Sequence, residues 1–82
     1  MLLKITRINS NGEQKECVID TEKIQGIVEL HNEPTHLYNE NGEIVETRET
    51  PRTFKIVFKY FSTTVSETTY TKLLEKLKVE TL

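Results

Sequence analysis

Thr53-Phe54-Lys55-Ile56-Val57-Phe58-Lys59-Tyr60-Phe61 is the stretch that decides the fold. Its side chains alternate with a period of two, the spacing of a β-strand. Phe54, Ile56, Phe58 and Tyr60 fall on one face, and Lys55, Val57, Lys59 and Phe61 on the other. A row of three aromatics and an isoleucine is a core face, so the spacing predicts a central strand over residues 53–61. Residues 62–65 then pair with it as a short final strand. Ser66 follows as a helix cap, because its side chain can accept from a free backbone N–H of the first turn. Glu67 stands where an acid meets the helix dipole favourably. Tyr70, Leu73, Leu74 and Leu77 recur at i, i+3, i+4 and i+7, which predicts an amphipathic helix over residues 67–78. About three turns are not stable alone in water, so the apolar stripe must cover the sheet or a partner.

Working back from that unit, residues 2–8 and 14–19 read as two strands joined through Asn9-Ser10-Asn11-Gly12, a hairpin signal because Asn and Gly accept positive φ. Cys17 and Ile19 face inward and Val18 outward. The spacing from Ile5 to Ile8 breaks period two, which predicts a bulge or a bend near Thr6-Arg7. Residues 22–25 read as a helical turn capped by Asp20 or Thr21, and residues 27–31 as a third strand. Ile24, Ile27 and Val28 also fit helical spacing.

Residues 32–52 are the least hydrophobic part of the chain and have two readings. One is a flexible acidic loop. The other is a hairpin with a mobile tip, in which Leu37-Tyr38 and Ile44-Val45 flank Asn39-Glu40-Asn41-Gly42.

Composition agrees with a β-rich chain. There is no alanine, the best helix former, and there are twelve threonines, which favour strands. Eighty-two residues with 35% apolar side chains allow one small domain, residues 1–82, with residues 32–52 as a polar insert. The fold class is therefore α+β: a small bent antiparallel sheet with one C-terminal helix packed on it. Either the sheet leaves one face open, or it curls into a small barrel and buries both.

Eleven basic and thirteen acidic residues give a net charge of −2, no global commitment to nucleic acid or an anionic membrane. The balance hides an asymmetry. Residues 21–50 carry two bases and seven acids, net −5, and residues 51–82 carry six bases and three acids, net +3. No apolar run is long enough to span a membrane. The first eight residues alternate with charge too soon for a signal-peptide core, so a cytoplasmic location is expected.

Catalytic and cofactor chemistry finds little support. Gly12, Gly26 and Gly42 are isolated and cannot form a phosphate-cradling loop. His31 and His36 lie near Glu29 and Glu33, but no further strong ligand is spaced to complete a metal site. Cys17 is the only cysteine and sits in a strand, where a buried, inert thiol is the common state. The expectation is no enzyme, no cofactor and no metal.

Two binding readings remain. Val57 and Phe61, with Val18 and Ile8, fall opposite the core row and would be covered by self-association or a protein partner. Lys55 and Lys59 share that face, and with Lys4, Arg7, Arg52 and Phe61 as a stacking platform they would suit nucleic acid instead. The acidic middle of the chain opposes phosphate, so the first reading leads: a non-enzymatic interaction or assembly module with Val57, Phe61, Lys55 and Lys59 as its surface.

The opening Leu3-Lys4-Ile5-Thr6-Arg7-Ile8-Asn9, the turn from Asp20 to Ile27 around Ile24, and the closing Val65-Ser66-Glu67 with its Leu-rich helix resemble the short FlbD-type (SwrD-type) flagellar accessory proteins. The resemblance covers about fifty residues and omits residues 32–52. It implies the same order of hairpin, turn, strand and short amphipathic helix, and a small accessory protein without catalytic residues.

Overall fold

A computed structural model describes residues 1–82. Seven strands precede one helix: β1 (Leu2–Ile8), β2 (Gln14–Asp20), β3 (Gly26–Leu30), β4 (Thr35–Tyr38), β5 (Ile44–Arg48), β6 (Thr53–Val57), β7 (Ser62–Ser66) and α1 (Glu67–Leu77). A short 3-10 turn, Thr21–Lys23, joins β2 to β3, and Asp20 caps it by accepting from the Glu22 N–H at 3.1 Å. Every ladder is antiparallel. The fold is α+β with a single helix on a sheet, as the patterning predicts.

The strands form three separate sheets: β1–β2, β3–β6–β7 and β4–β5. There is no closed barrel, which removes that alternative. β6 is the middle strand of its sheet, pairing Ile56 with Ile27 on one side and with Thr63 on the other. Its inner face contributes Phe54 and Ile56, both buried. β1 lies against β7, and the β1–β2 hairpin brings Ile5 from β1 and Ile19 from β2 over that face. α1 closes it with Leu73, 2% exposed, while Tyr70 and Leu77 pack at the margin. The core is seven side chains: Ile5, Ile19, Phe54, Ile56, Phe58, Val65 and Leu73.

α1 begins and ends where its sequence dictates. The Ser66 hydroxyl accepts from the Thr69 N–H at 3.3 Å, and Lys78 closes the helix in the left-handed region at φ 53°.

Two expectations need correction. β6 stops at Val57, not at residue 61, because the chain turns back on itself: the Phe58 N–H donates to the Phe61 carbonyl at 2.9 Å. Lys59 and Tyr60 form the turn, so Tyr60 is 86% exposed and leaves the core row to Phe54, Ile56 and Phe58. Of the bulge or bend expected near Thr6-Arg7, the bulge is absent, since β1 and β2 keep one register from Leu2↔Asp20 to Ile8↔Gln14. Ile8 is half-buried at the end of β1, next to the turn. Of the two readings of residues 32–52 the hairpin is the one present: β4 and β5 pair across Asn39-Glu40-Asn41-Gly42, with a register shift between Leu37 and Tyr38.

The two Asn-Gly turns are built alike. In each, the first Asn N–H donates to a Glu carbonyl four residues on (Asn9 to Glu13, Asn39 to Glu43), both at 2.9 Å. The same Asn side chain accepts from that Glu N–H, at 2.9 and 3.0 Å. Gly12 and Gly42 supply the positive φ, 85° and 79°. The hairpins differ in what they cover. β1–β2 contributes to the core, whereas residues 31–52 contain no buried residue. β4–β5 projects from the body as an arm, and the molecule extends 54 × 30 × 20 Å. Its radius of gyration, 16.1 Å, exceeds the roughly 12 Å of a compact chain of this length.

The arm is fastened at its base. Asn32 Nδ2 donates to the Pro51 carbonyl and to Thr53 Oγ1, at 3.2 and 2.9 Å, and Thr50 Oγ1 donates to the Glu33 carbonyl at 2.8 Å. Arg52 pairs with Glu29 on β3 and, at 3.5 Å, with Glu67 at the start of α1. The hydrogen bond to Glu29 is the largest cause of the raised Arg52 pKa.

Candidate functional site

The β6–β7 turn, the 3-10 turn and the end of β2 meet at one end of the molecule and enclose an open cleft of about 690 Å³. Its apolar lining is Val18, Ile19, Ile24, Phe58, Tyr60 and Phe61. Ile19 and Phe58 form the buried floor, and Val18, Tyr60 and Phe61 stand exposed around it. The ring of Phe61 stacks on Phe58, 4.5 Å between centroids and 14° from parallel, which holds an exposed aromatic in a fixed orientation. Gln25 donates its N–H to the Val57 carbonyl at 2.8 Å and so ties the 3-10 turn to the end of β6.

Charge surrounds this apolar patch. Asp20, Glu22, Lys23 and Lys59 lie along its margin. The two acids face the amino terminus, at 3.7 and 3.8 Å, while Lys59 rests over the Tyr60 ring at 5.3 Å. An apolar concavity with aromatic walls and a polar rim has the make-up of a protein-docking surface, where large rigid side chains bury area at low entropic cost.

The residues assigned to one surface from the sequence lie in two places. Phe61 and Lys59 belong to the cleft. Lys55 and Val57 are half-buried on the outer face of β6, Lys55 between Val28 and Thr64, and Val57 between Gly26 and Ser62. The single row of Lys55, Val57, Lys59 and Phe61 ends at the turn, because a strand face cannot continue past Phe58. Val18, grouped from the sequence with Val57, Phe61 and Ile8, shares the cleft with Phe61 but not with Val57 or Ile8, while Tyr60 and Ile24 were missed. An exposed, turn-borne Tyr60 has no sequence signal, since it continues the aromatic alternation of the strand before it.

The basic side chains are dispersed as well. Lys4 is in the β1–β2 hairpin and pairs with Glu16 at 3.0 Å, Arg52 is engaged at the base of the arm, and Lys55 and Lys59 sit on a strand and a turn. β1 neighbours β7, not β6, so Lys4 does not join Lys55 across a ladder. His36 Nδ1 lies 3.0 Å from Thr47 Oγ1 on the arm, and no three of the His, Cys, Asp and Glu side chains gather where they could hold a metal. Cys17 is a free, half-buried thiol. No helix is long and apolar enough to cross a membrane.

The chain matches no family model, no curated protein and no solved structure.

Proposed function

We propose that this chain is a non-enzymatic protein–protein interaction or assembly module, working in the cytoplasm, that captures an apolar side chain of its partner in the cleft between Val18, Ile24, Tyr60 and Phe61. One observation carries the reading: three large exposed apolar side chains, Val18, Tyr60 and Phe61, come from two distant segments and line one concavity. A monomer with so small a core gains nothing from holding aromatics in water, whereas an interface anchor needs them there. The resemblance of the chain's ends to the FlbD-type accessory proteins supports the same accessory role.

Selection of random displayed peptides against the folded protein tests this. Ligands should carry a large apolar residue, and their amide-shift footprint should fall on Val18, Ile24, Tyr60 and Phe61. Binding should survive Lys55→Glu and be lost in Tyr60→Asp. A footprint on the outer face of β6, or salt-sensitive binding of single-stranded oligonucleotides that Lys55→Glu and Lys59→Glu abolish, would replace the reading with nucleic-acid binding.

A further inference from the structure

The β4–β5 arm has no cover within its own chain. A two-stranded hairpin is marginal at best in water, and this one exposes Tyr38, Ile44 and Val45 beside its turn. His36 and Tyr38 pack edge to face along it, 6.4 Å between centroids, so the aromatic end of the arm has a defined shape. The arm is also acidic. Residues 33–49 hold five glutamates against one arginine, a net of −4. Arg48 is spent on Glu46 at 3.0 Å, which leaves Glu40 and Glu43 flanking the apolar tip.

The cleft presents the complementary features: an apolar hollow with Lys23 and Lys59 on its margin and its two acids set against the amino terminus. The arm cannot reach this cleft in its own chain. It leaves the three-stranded sheet at Leu30 and Thr53, whereas the cleft lies at the opposite end, beyond Gly26 and Val57. The hydrogen bonds of Asn32 and Thr50 keep the arm directed outward.

We propose that the occupant of the cleft is the arm of a second copy of this chain, with Tyr38, Ile44 and Val45 in the hollow and Glu40 and Glu43 beside Lys23 and Lys59. Because arm and cleft lie at opposite ends, a two-fold axis relating antiparallel molecules sets each arm at the other's cleft, and both contacts close in one dimer. This rests on the cleft being a docking surface and adds the identity of what docks.

Sedimentation velocity on two variants, separately and mixed, tests the pairing. Val45→Asp alters the arm and Tyr60→Asp the cleft; both positions are exposed, at 63% and 86%, so the fold tolerates them, and circular dichroism checks that it does. The wild type should sediment as two chains. Each variant alone carries its substitution at both contacts, and its dimer dissociation constant should rise on the order of 100-fold. An equimolar mixture regains one unaltered contact, since the arm of Tyr60→Asp fits the cleft of Val45→Asp, and should dimerise more tightly than either variant alone. If Val45→Asp dimerises like the wild type while Tyr60→Asp does not, the arm is not the occupant, though the cleft remains an interface. If the mixture is no tighter than its components, arm does not meet cleft. If the wild type is one chain, the inference fails, and the displayed-peptide footprint alone decides whether the cleft binds something else.

Discussion

The rings of Phe54 and Tyr70 lie 3.7 Å apart between centroids and 2° from parallel, so the central strand and the helix are fastened at one aromatic pair. Phe54 is 3% exposed and Tyr70 half-buried beside it, with the Arg52 guanidinium over the Phe54 ring at 5.2 Å. Replacing Phe54 by Ala should cost about 3–5 kcal/mol of stability. A double-mutant cycle with Phe54→Leu and Tyr70→Leu, read by urea unfolding, should return a coupling of about 0.5–1.5 kcal/mol. Strict additivity would mean that the stacked rings contribute no more than their buried area.

The two glycine turns should answer the same substitution differently. A Cβ at Gly12 or Gly42 meets no atom within 4 Å, so the penalty of alanine is the positive φ alone, roughly 1–2 kcal/mol. In Gly12→Ala that penalty falls on a hairpin carrying Ile5 and Ile19, and the urea midpoint should drop. In Gly42→Ala it falls on an arm with no buried residue, so a dilute monomer should unfold at an unchanged midpoint while amide exchange in residues 35–48 quickens. Equal midpoint losses would show that the arm folds as part of the core.

Helix α1 depends on its cap. Ser66→Ala removes the acceptor of the Thr69 N–H and should cost about 1 kcal/mol. Ser66→Asp, which restores an acceptor and complements the dipole, should recover most of it. Thermal unfolding of the three proteins gives the comparison.

Arg52 joins β3 to α1 through exposed ion pairs, and its effect should be small and salt-dependent. Its pKa is raised, first by the hydrogen bond from its guanidinium to Glu29, so the charge is held at every pH below the already high ordinary value. The stabilising contribution is therefore fully present below that value and does not fade as pH climbs from 7 to 10. Arg52→Gln should lower the melting temperature slightly in dilute buffer, equally at pH 7 and pH 10, and not at all in 1 M salt. A loss confined to one of the two pH values would contradict the assignment.

How much of this was legible follows from the kind of signal each element carries. Ser66 with Tyr70, Leu73 and Leu77, and the Asn-Gly pairs at 11–12 and 41–42, encode local geometry, and helix and hairpins lie where those residues put them. The Phe58-Lys59-Tyr60-Phe61 turn carries no Gly, Pro, Asn or Asp, and no residue there adopts positive φ, so apolar alternation runs through it unbroken. That one turn moved Tyr60 from core to surface and separated Lys59 and Phe61 from Lys55 and Val57. The cleft was illegible for another reason. It joins Val18 and Ile24 to Tyr60 and Phe61, some forty residues away, and such a meeting depends on how the β1–β2 hairpin docks on β7.

Light-scattering mass across a concentration series, for the wild type, Tyr60→Asp and Phe61→Asp, measures the central claim most directly. The wild type should rise from 9.6 kDa toward twice that value, and both variants should stay at 9.6 kDa with their circular dichroism unchanged. A wild type that holds 9.6 kDa at every concentration, or variants that rise with it, would contradict the assignment of the Val18–Tyr60–Phe61 cleft as the place where two chains meet.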